Sequence, residues 1–166
     1  MIDVLMLSLF PACMIGAAAY DISTMTIPNW ISLALILAFV ALVIPAGMTI
    51  SEIGIHIAIG MAALVAGFLL FAAGFVGGGD AKFLAATSLW IGAELYLHYF
   101  FFATLAGGVL ALTLLLLRQF PLPIFLVNQE WIARLHHSES GIPYGVALSI
   151  GGLFVFSQTP LFRLFF

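Results

Sequence analysis

The sequence predicts an all-α protein, a polytopic membrane helix bundle of about six transmembrane helices. Three observations carry that expectation. Of its 166 residues 64% are hydrophobic and 7% charged, with a mean hydropathy of +1.27. A soluble domain carries about a quarter charged residues, so this chain lacks the means to solvate a surface. Its apolar residues also fall in runs close to the roughly 20 needed to cross a bilayer, and proline, glycine and charged residues separate the runs. The length fits one integral-membrane domain over residues 1–166.

The spans follow in order. Residues 4–20 carry no charge and form the first, between Asp3 and Asp21. This stretch ends in small residues, Ala17 to Ala19, as a signal peptide would. Its head carries Asp3 and no lysine or arginine, so it reads as a retained span. Pro28 restarts the chain near the first turn of a new helix, where its missing N–H costs little. Trp30 then anchors a second span, 30–45, which stops at Pro45-Ala46-Gly47. Glu52 marks the next polar edge, and 53–76 makes the third span. The fourth, 82–97, follows Asp80; the fifth, 100–117, leaves at Arg118; Pro143-Tyr144-Gly145 opens the sixth, 144–158. Residues 118–142 form the one long polar stretch, opened by Pro121 and Pro123. Within it "FLVNQEWIARLHH" suits a short amphipathic helix in the interface, with Trp131 at headgroup level, or a solvated loop.

Composition excludes several functions. The net charge of −3 rests on four basic and seven acidic side chains with no basic stripe, so nucleic acid is not an expected partner. The single cysteine, Cys13, rules out an intrachain disulfide and reads as a small packed hydrophobe. His136 and His137 would point about 100° apart on a helix and have no third ligand spaced for them, so neither metal nor cofactor is expected. His56 and His98 fall near span edges, where an interfacial role suffices. Gly107-Gly108 and Gly151-Gly152 suit close helix packing. Six spans place the Asp21 and Asp80 turns on one side with Lys82, Arg118 and Arg134, and leave Arg163 on the other. The excess of lysine and arginine makes the aspartate side cytoplasmic, with both termini outside.

Among the acids, Asp3, Glu52 and Glu94 fall near span ends and Glu130 and Glu139 in the polar loop, where solvation explains them. Asp21 and Asp80 differ. They lie 59 positions apart (80 minus 21), yet the topology sets them at one depth on one side. Asp21 precedes a turn and a proline, and Asp80 follows Gly77-Gly78-Gly79; irregular backbone at membrane depth survives where protein buries it or water reaches it. An intramembrane charge costs about 2.5–3.5 kcal/mol on insertion scales and tends to face a functional cavity. Two carboxylates in one wet pocket cannot both ionise easily, so the pair holds a proton between them. Such a pair can take a proton from water and give one to a peptide carbonyl, each proton belonging to the pair. The glycines would let a substrate backbone approach Asp80. They do not form a phosphate loop, because no Lys-Ser/Thr follows.

Gly77-Gly78-Gly79-Asp80 with Ala81-Lys82 resembles the GxGD motif of intramembrane aspartic peptidases, and within them the type IV prepilin peptidase family. Asp21 with Ile27-Pro28-Asn29 resembles that family's first aspartate motif, and Pro143-Tyr144-Gly145-Val146-Ala147 a third segment at the start of the last span. The resemblance implies a catalytic pair, Asp21 and Asp80, with Gly77, Gly78, Gly79, Lys82, Pro28, Asn29, Pro143, Tyr144 and Gly145 in substrate-binding or structural roles. It implies cleavage of the short basic leader of a prepilin or pseudopilin at the cytoplasmic face of a prokaryotic inner membrane. The partners are then that substrate and the lipid bilayer.

Bifunctional members carry a longer, often cysteine-bearing segment after the first span and also methylate the pilin. Here only six residues, 22–27, separate Asp21 from Pro28, and none is cysteine. Methyltransferase activity is not expected, and the short form is similar to the peptidases of tight-adherence (Flp-type) pili. Tyr20-Asp21 also resembles a presenilin-type motif, but the Pro-Ala-Leu segment of those enzymes is missing. The competing class is a small proton- or cation-coupled transporter, or a secretion assembly subunit, using the same aspartates. Against it, only the Gly77–Asp80 break stands out, where inverted-repeat transporters pair broken helices. Lys82 reads as a snorkelling side chain or as an electrostatic bias on the pair.

Overall fold

A computed structural model describes the backbone of residues 2–165 and the side chains of residues 8–163. Asp3, at the edge of the first predicted span, lies outside the described side chains. All regular structure among the described residues is helical: α1 (Ile2–Thr24), α2 (Asn29–Val43), α3 (Ile50–Ala72), α4 (Gly78–Leu117), α5 (Ile124–Val127), α6 (Glu130–His136), α7 (Tyr144–Phe156) and α8 (Pro160–Phe165). Among the described residues, Ile50–Ala72, Gly78–Leu117 and Tyr144–Arg163 are long and apolar enough to cross a membrane, and Asn29–Val43 is a shorter apolar helix. Large apolar side chains such as Val65, Phe68, Leu69, Leu105, Val109 and Leu112 remain exposed on these helices. A bundle in lipid can leave them so, because hydrocarbon is their solvent.

Among the boundaries that differ from the sequence reading, three have a clear physical reason. α1 continues through Asp21 to Thr24, so Asp21 sits in its last turn and not beyond it. Met25 stops the helix: it takes a left-handed φ of 57° and returns its N–H to the Asp21 carbonyl at 2.8 Å, as an αL cap does. α3 begins at Ile50 because Thr49 and Glu52 form a capping box, Thr49 N–H donating to Glu52 Oε2 at 2.7 Å and Glu52 N–H to Thr49 Oγ1 at 3.3 Å.

The third difference is the largest. The expected gap between spans at 97–100 is helical, and the break falls at Gly92, with φ 68° and ψ −177°. A straight helix of 40 residues would measure about 60 Å, twice the hydrocarbon thickness. The chain instead reverses there. Asp80, Ala81 and Leu84 of the first limb (78–91) share a cavity wall with Tyr99, Ala103, Thr104 and Gly107 of the second (93–117), so the limbs run antiparallel. A Cβ on Gly92 would stand 2.6 Å from His56 Cε1, so both the backbone angle and the space require glycine.

His56 is accordingly no loose interfacial group. It is 5% exposed, stacks on Phe39 with ring centroids 5.6 Å apart, and places Nδ1 2.6 Å from the Leu89 carbonyl. A carbonyl only accepts, so Nδ1 carries the proton there, serving a carbonyl close to a helix break.

The core joins α1, α2, α7 and the first limb of α4. Trp90 lies at its centre, fully buried, against Phe10 (centroids 5.2 Å apart) and Phe39 (6.4 Å), and its indole N–H donates to the Leu35 carbonyl at 3.0 Å. Phe10 stacks in turn on Phe156 of α7 at 4.7 Å. Cys13, 6% exposed, belongs to the same cluster.

The polar stretch 118–142 holds two short helices, α5 and α6, broken at Asn128-Gln129, and not one continuous amphipathic helix. Arginines tie it to one end of the bundle. Arg134 Nη1 donates to the Ser23 carbonyl at the end of α1, and Arg118 donates from Nε to Leu135 and from Nη2 to Gly141, each at 3.0 Å. His136 Nε2 faces the carbonyls of Leu117 at 3.1 Å and Phe120 at 2.9 Å.

Candidate active site

Three helix ends meet beside this strap: the last turn of α1, the first turn of α4 and the first turn of α7. Each presents a group that the sequence singled out. Asp21 comes from the last turn of α1 and is 3% exposed. Its Oδ2 accepts the Gly145 N–H at 2.6 Å, in the first turn of α7 where backbone donors have no helical partner. Asp80 sits at the third position of α4, half-buried, and its Oδ2 accepts the Gly77 N–H at 3.1 Å, reaching back over the helix start. Ile27 packs against both Gly79, next to Asp80, and Gly145, which holds Asp21, so the two carboxyls lie at the same end of the bundle. The 59 positions between them are closed by folding.

The remaining predicted residues surround this pair in unequal ways. Pro28 is the extended residue before α2, with φ −61° and ψ 137°. Asn29, the first residue of α2, accepts a hydrogen bond at Oδ1 from Lys82 Nζ at 3.0 Å. The Lys82 ammonium thus links two of the sequence motifs and does not merely reach for headgroups. Pro143 precedes α7, and Tyr144, 39% exposed, leans over Gly107 of the second limb of α4, where an added Cβ would lie 3.8 Å from its ring.

The glycines before Asp80 serve the protein's own packing. A Cβ on Gly79 would press on the backbone of Ile27, 3.2 Å from its carbonyl oxygen and 3.3 Å from its nitrogen. One on Gly78 would contact the Phe71 ring at 3.5 Å, and one on Gly77 would meet the Asp80 carboxylate at 3.0 Å. The expected open approach for a substrate backbone is therefore filled, at Gly79, by the linker between α1 and α2.

Asp80 borders a largely apolar cavity of ≈ 370 Å³ between α3, both limbs of α4 and α7. Gly67, Leu70, Tyr99, Gly107 and Tyr144 are among its walls; Asp21 is not. The sequence singled out the two aspartates and Tyr144, and it showed Ile27 only as part of Ile27-Pro28-Asn29; nothing in it set Gly67, Leu70 and Tyr99 of the wall apart. Gly107-Gly108 was visible as a place for close helix packing, but its partners Tyr144 and Ala147 were not.

The other end of the bundle carries a separate set. Glu52, His56, Glu94 and Arg163 border one pocket there. Glu52 and Gly67 stand 15 residues apart on α3 (67 minus 52), about 22 Å along a helix. The charges therefore divide between two ends as the sequence reading requires. No group of three or more metal-ligating side chains occurs among the described residues.

Fold and site together define an integral membrane protein, a helical bundle that gathers two carboxyl groups at one end beside an apolar cavity. The model of the type IV leader peptidase family matches residues 8–112, and the chain belongs to that family of peptidases. The matched segment contains Asp21 and Asp80 and ends before Pro143-Tyr144-Gly145. No curated protein and no solved structure matches the chain.

Proposed function

We propose that the protein is an aspartic endopeptidase that removes the short basic leader of type IV, Flp-like prepilins or pseudopilins. It acts at the cytoplasmic face of the inner membrane, with Asp21 and Asp80 as its acid–base pair. The observation that carries this reading is that contacts through Ile27 and Gly145 bring the two aspartates to one end of the bundle, one of them on the wall of a cavity. The ionised member takes a proton from a water, which attacks the scissile carbonyl. The neutral member donates to the carbonyl oxygen, and a returning proton releases the amine. Family membership supports leader cleavage, and the short cysteine-free link from Asp21 to Pro28 supports a peptidase without methyltransferase activity.

The test is co-expression with a candidate prepilin, reading a leader-sized mobility shift. Asp21→Asn and Asp80→Asn are nearly isosteric and should each reduce cleavage to background. The double variant should be hardly worse than either, since residues acting as a unit are strongly non-additive. Glu52→Gln is the control, because glutamine can keep the capping box at the far end. A well-folded Asp21→Asn protein that cleaves near the wild-type rate would remove the pair from the mechanism.

A further inference from the structure

The two aspartates belong to different helices, and a contact path between them runs through Ile27, which lies in no helix, and Gly145 of α7. Ile27 belongs to the linker between α1 and α2 and is 6% exposed. Its backbone lies against Gly79, with the carbonyl oxygen and nitrogen 3.2 and 3.3 Å from where a Cβ would stand, and Gly79 is the immediate neighbour of Asp80. The far end of its side chain lies against Gly145, with Cδ1 2.5 Å from the corresponding point. Gly145 in turn holds Asp21 through its N–H, and a Cβ there would also stand 2.8 Å from Asp21 Oδ2.

The order in space is therefore Asp80, Gly79, Ile27, Gly145, Asp21. Both glycines leave just the room that Ile27 fills. The Lys82–Asn29 hydrogen bond, two residues along from both Asp80 and Ile27, ties the same linker to α4 from outside. Met25 closes the other end of the linker with its left-handed turn.

We propose that Ile27 is a positioning residue, a spacer wedged between the first turns of α4 and α7 that sets the separation of Asp21 and Asp80. It touches neither the substrate nor the proton in flight, and it acts through the two carboxyls. The proposal rests on the acid–base reading above. Its chemical reason is that a pair that exchanges protons with one water and one carbonyl tolerates little error in spacing. A misplacement of about 1 Å can cost on the order of 10²-fold in rate. An apolar spacer suits the task, because close-packed side chains transmit position with little slack.

The experiment has two arms, on the full chain in bilayer nanodiscs. In the first, prepilin cleavage is followed for Ile27→Val, which loses the methyl facing Gly145, and for Ile27→Ala. Ile27→Ala should lower kcat by on the order of 10²-fold, with KM moving less than about twofold because uniform binding is untouched. Ile27→Val should fall between it and wild type, and it remains informative if Ile27→Ala fails to fold. Adding Gly145→Ala to Ile27→Val returns a methyl from the opposite side and should recover part of the kcat that Gly145→Ala alone loses.

In the second arm, an Asp21→Cys/Asp80→Cys protein is bridged with thiol cross-linkers of graded length, with Ile27 intact, as Val or as Ala. The preferred length should change in the Ile27 variants. This arm needs no activity. A shifted cross-linking profile, combined with a first arm in which the protein with both aspartates intact cleaves no prepilin, would sink the peptidase reading and keep the spacer. Folded Ile27 variants with wild-type kcat, or with an unchanged cross-linking profile, would overturn the spacer itself.

Discussion

Replacing Gly92 by alanine tests the hairpin that carries Asp80 and its cavity. The substitution adds one methyl group and meets two separate penalties. The backbone at φ 68° and ψ −177° belongs to a region that is nearly glycine-only, where a side chain costs about 1–3 kcal/mol. The methyl would also stand 2.6 Å from His56 Cε1 and 2.7 Å from Nε2, and overpacking of a filled site costs about 1–3 kcal/mol. Together they predict a loss of about 2–6 kcal/mol, read as the shift in reversible unfolding by denaturant in mixed micelles. Gly108→Ala is the paired control. It lies on the second limb of α4, and its added Cβ would meet nothing within 4 Å. There alanine should be neutral or stabilising by up to about 1 kcal/mol. The two penalties can also be separated. In a His56→Ala background the collision disappears and the backbone cost remains, so Gly92→Ala should cost about 1–3 kcal/mol there. A Gly92→Ala protein within about 0.5 kcal/mol of wild type, the range of an ordinary surface change, would refute the reversal at Gly92.

Other outcomes are open to direct measurement. Introduced cysteines at Ser138 and Ser51, both exposed, should be labelled from the cytoplasm and from the outside respectively, while buried Cys13 stays silent. Labelling of Ser138 from outside alone would reverse the proposed orientation. Mature pilin produced by this protein alone should keep an unmodified amino terminus; a methyl group found by mass spectrometry after incubation with purified protein and a methyl donor would contradict the peptidase-only reading. Trp90→Phe removes the donor to the Leu35 carbonyl that joins α2 to α4. It should lower stability by about 1–2 kcal/mol, the scale of interhelical hydrogen bonds in model membrane peptides, in the same unfolding assay; an unchanged midpoint would deny that bond any role.

His56 has a partner that its place in the sequence does not reveal. A lone histidine near a predicted span edge has no partner in its own helix, so an interfacial role was the economical expectation. Its partner is a carbonyl 33 positions away, beside a glycine whose backbone angles cannot be read from composition. The break at Gly92 was missed for the same reason. The residues from 84 to 117 are apolar enough that hydropathy alone sets no boundary inside them, and Glu94 and His98 drew the expected edge too late. Asp21 and Asp80 were visible because a carboxylate in an apolar chain is costly wherever it sits, so each marks itself without a partner. Lys82 and Asn29 were visible individually; their hydrogen bond was not.

By itself, the sequence determined the class of the molecule, the approximate helices, the segregation of charge between two ends and the two carboxylates that stand out against an apolar chain. These follow from local quantities, the solvation cost of each residue and the backbone habits of glycine and proline, which depend little on neighbours far along the chain. Only the tertiary structure decided where α4 turns, that Asp80 borders a cavity and Asp21 does not, and that Gly79 and Gly145 are filled by Ile27. Those features depend on which helix ends meet and how closely. Packing at contact distance is a property of pairs distant in sequence, and an apolar residue such as Ile27 carries no mark of the pair to which it belongs.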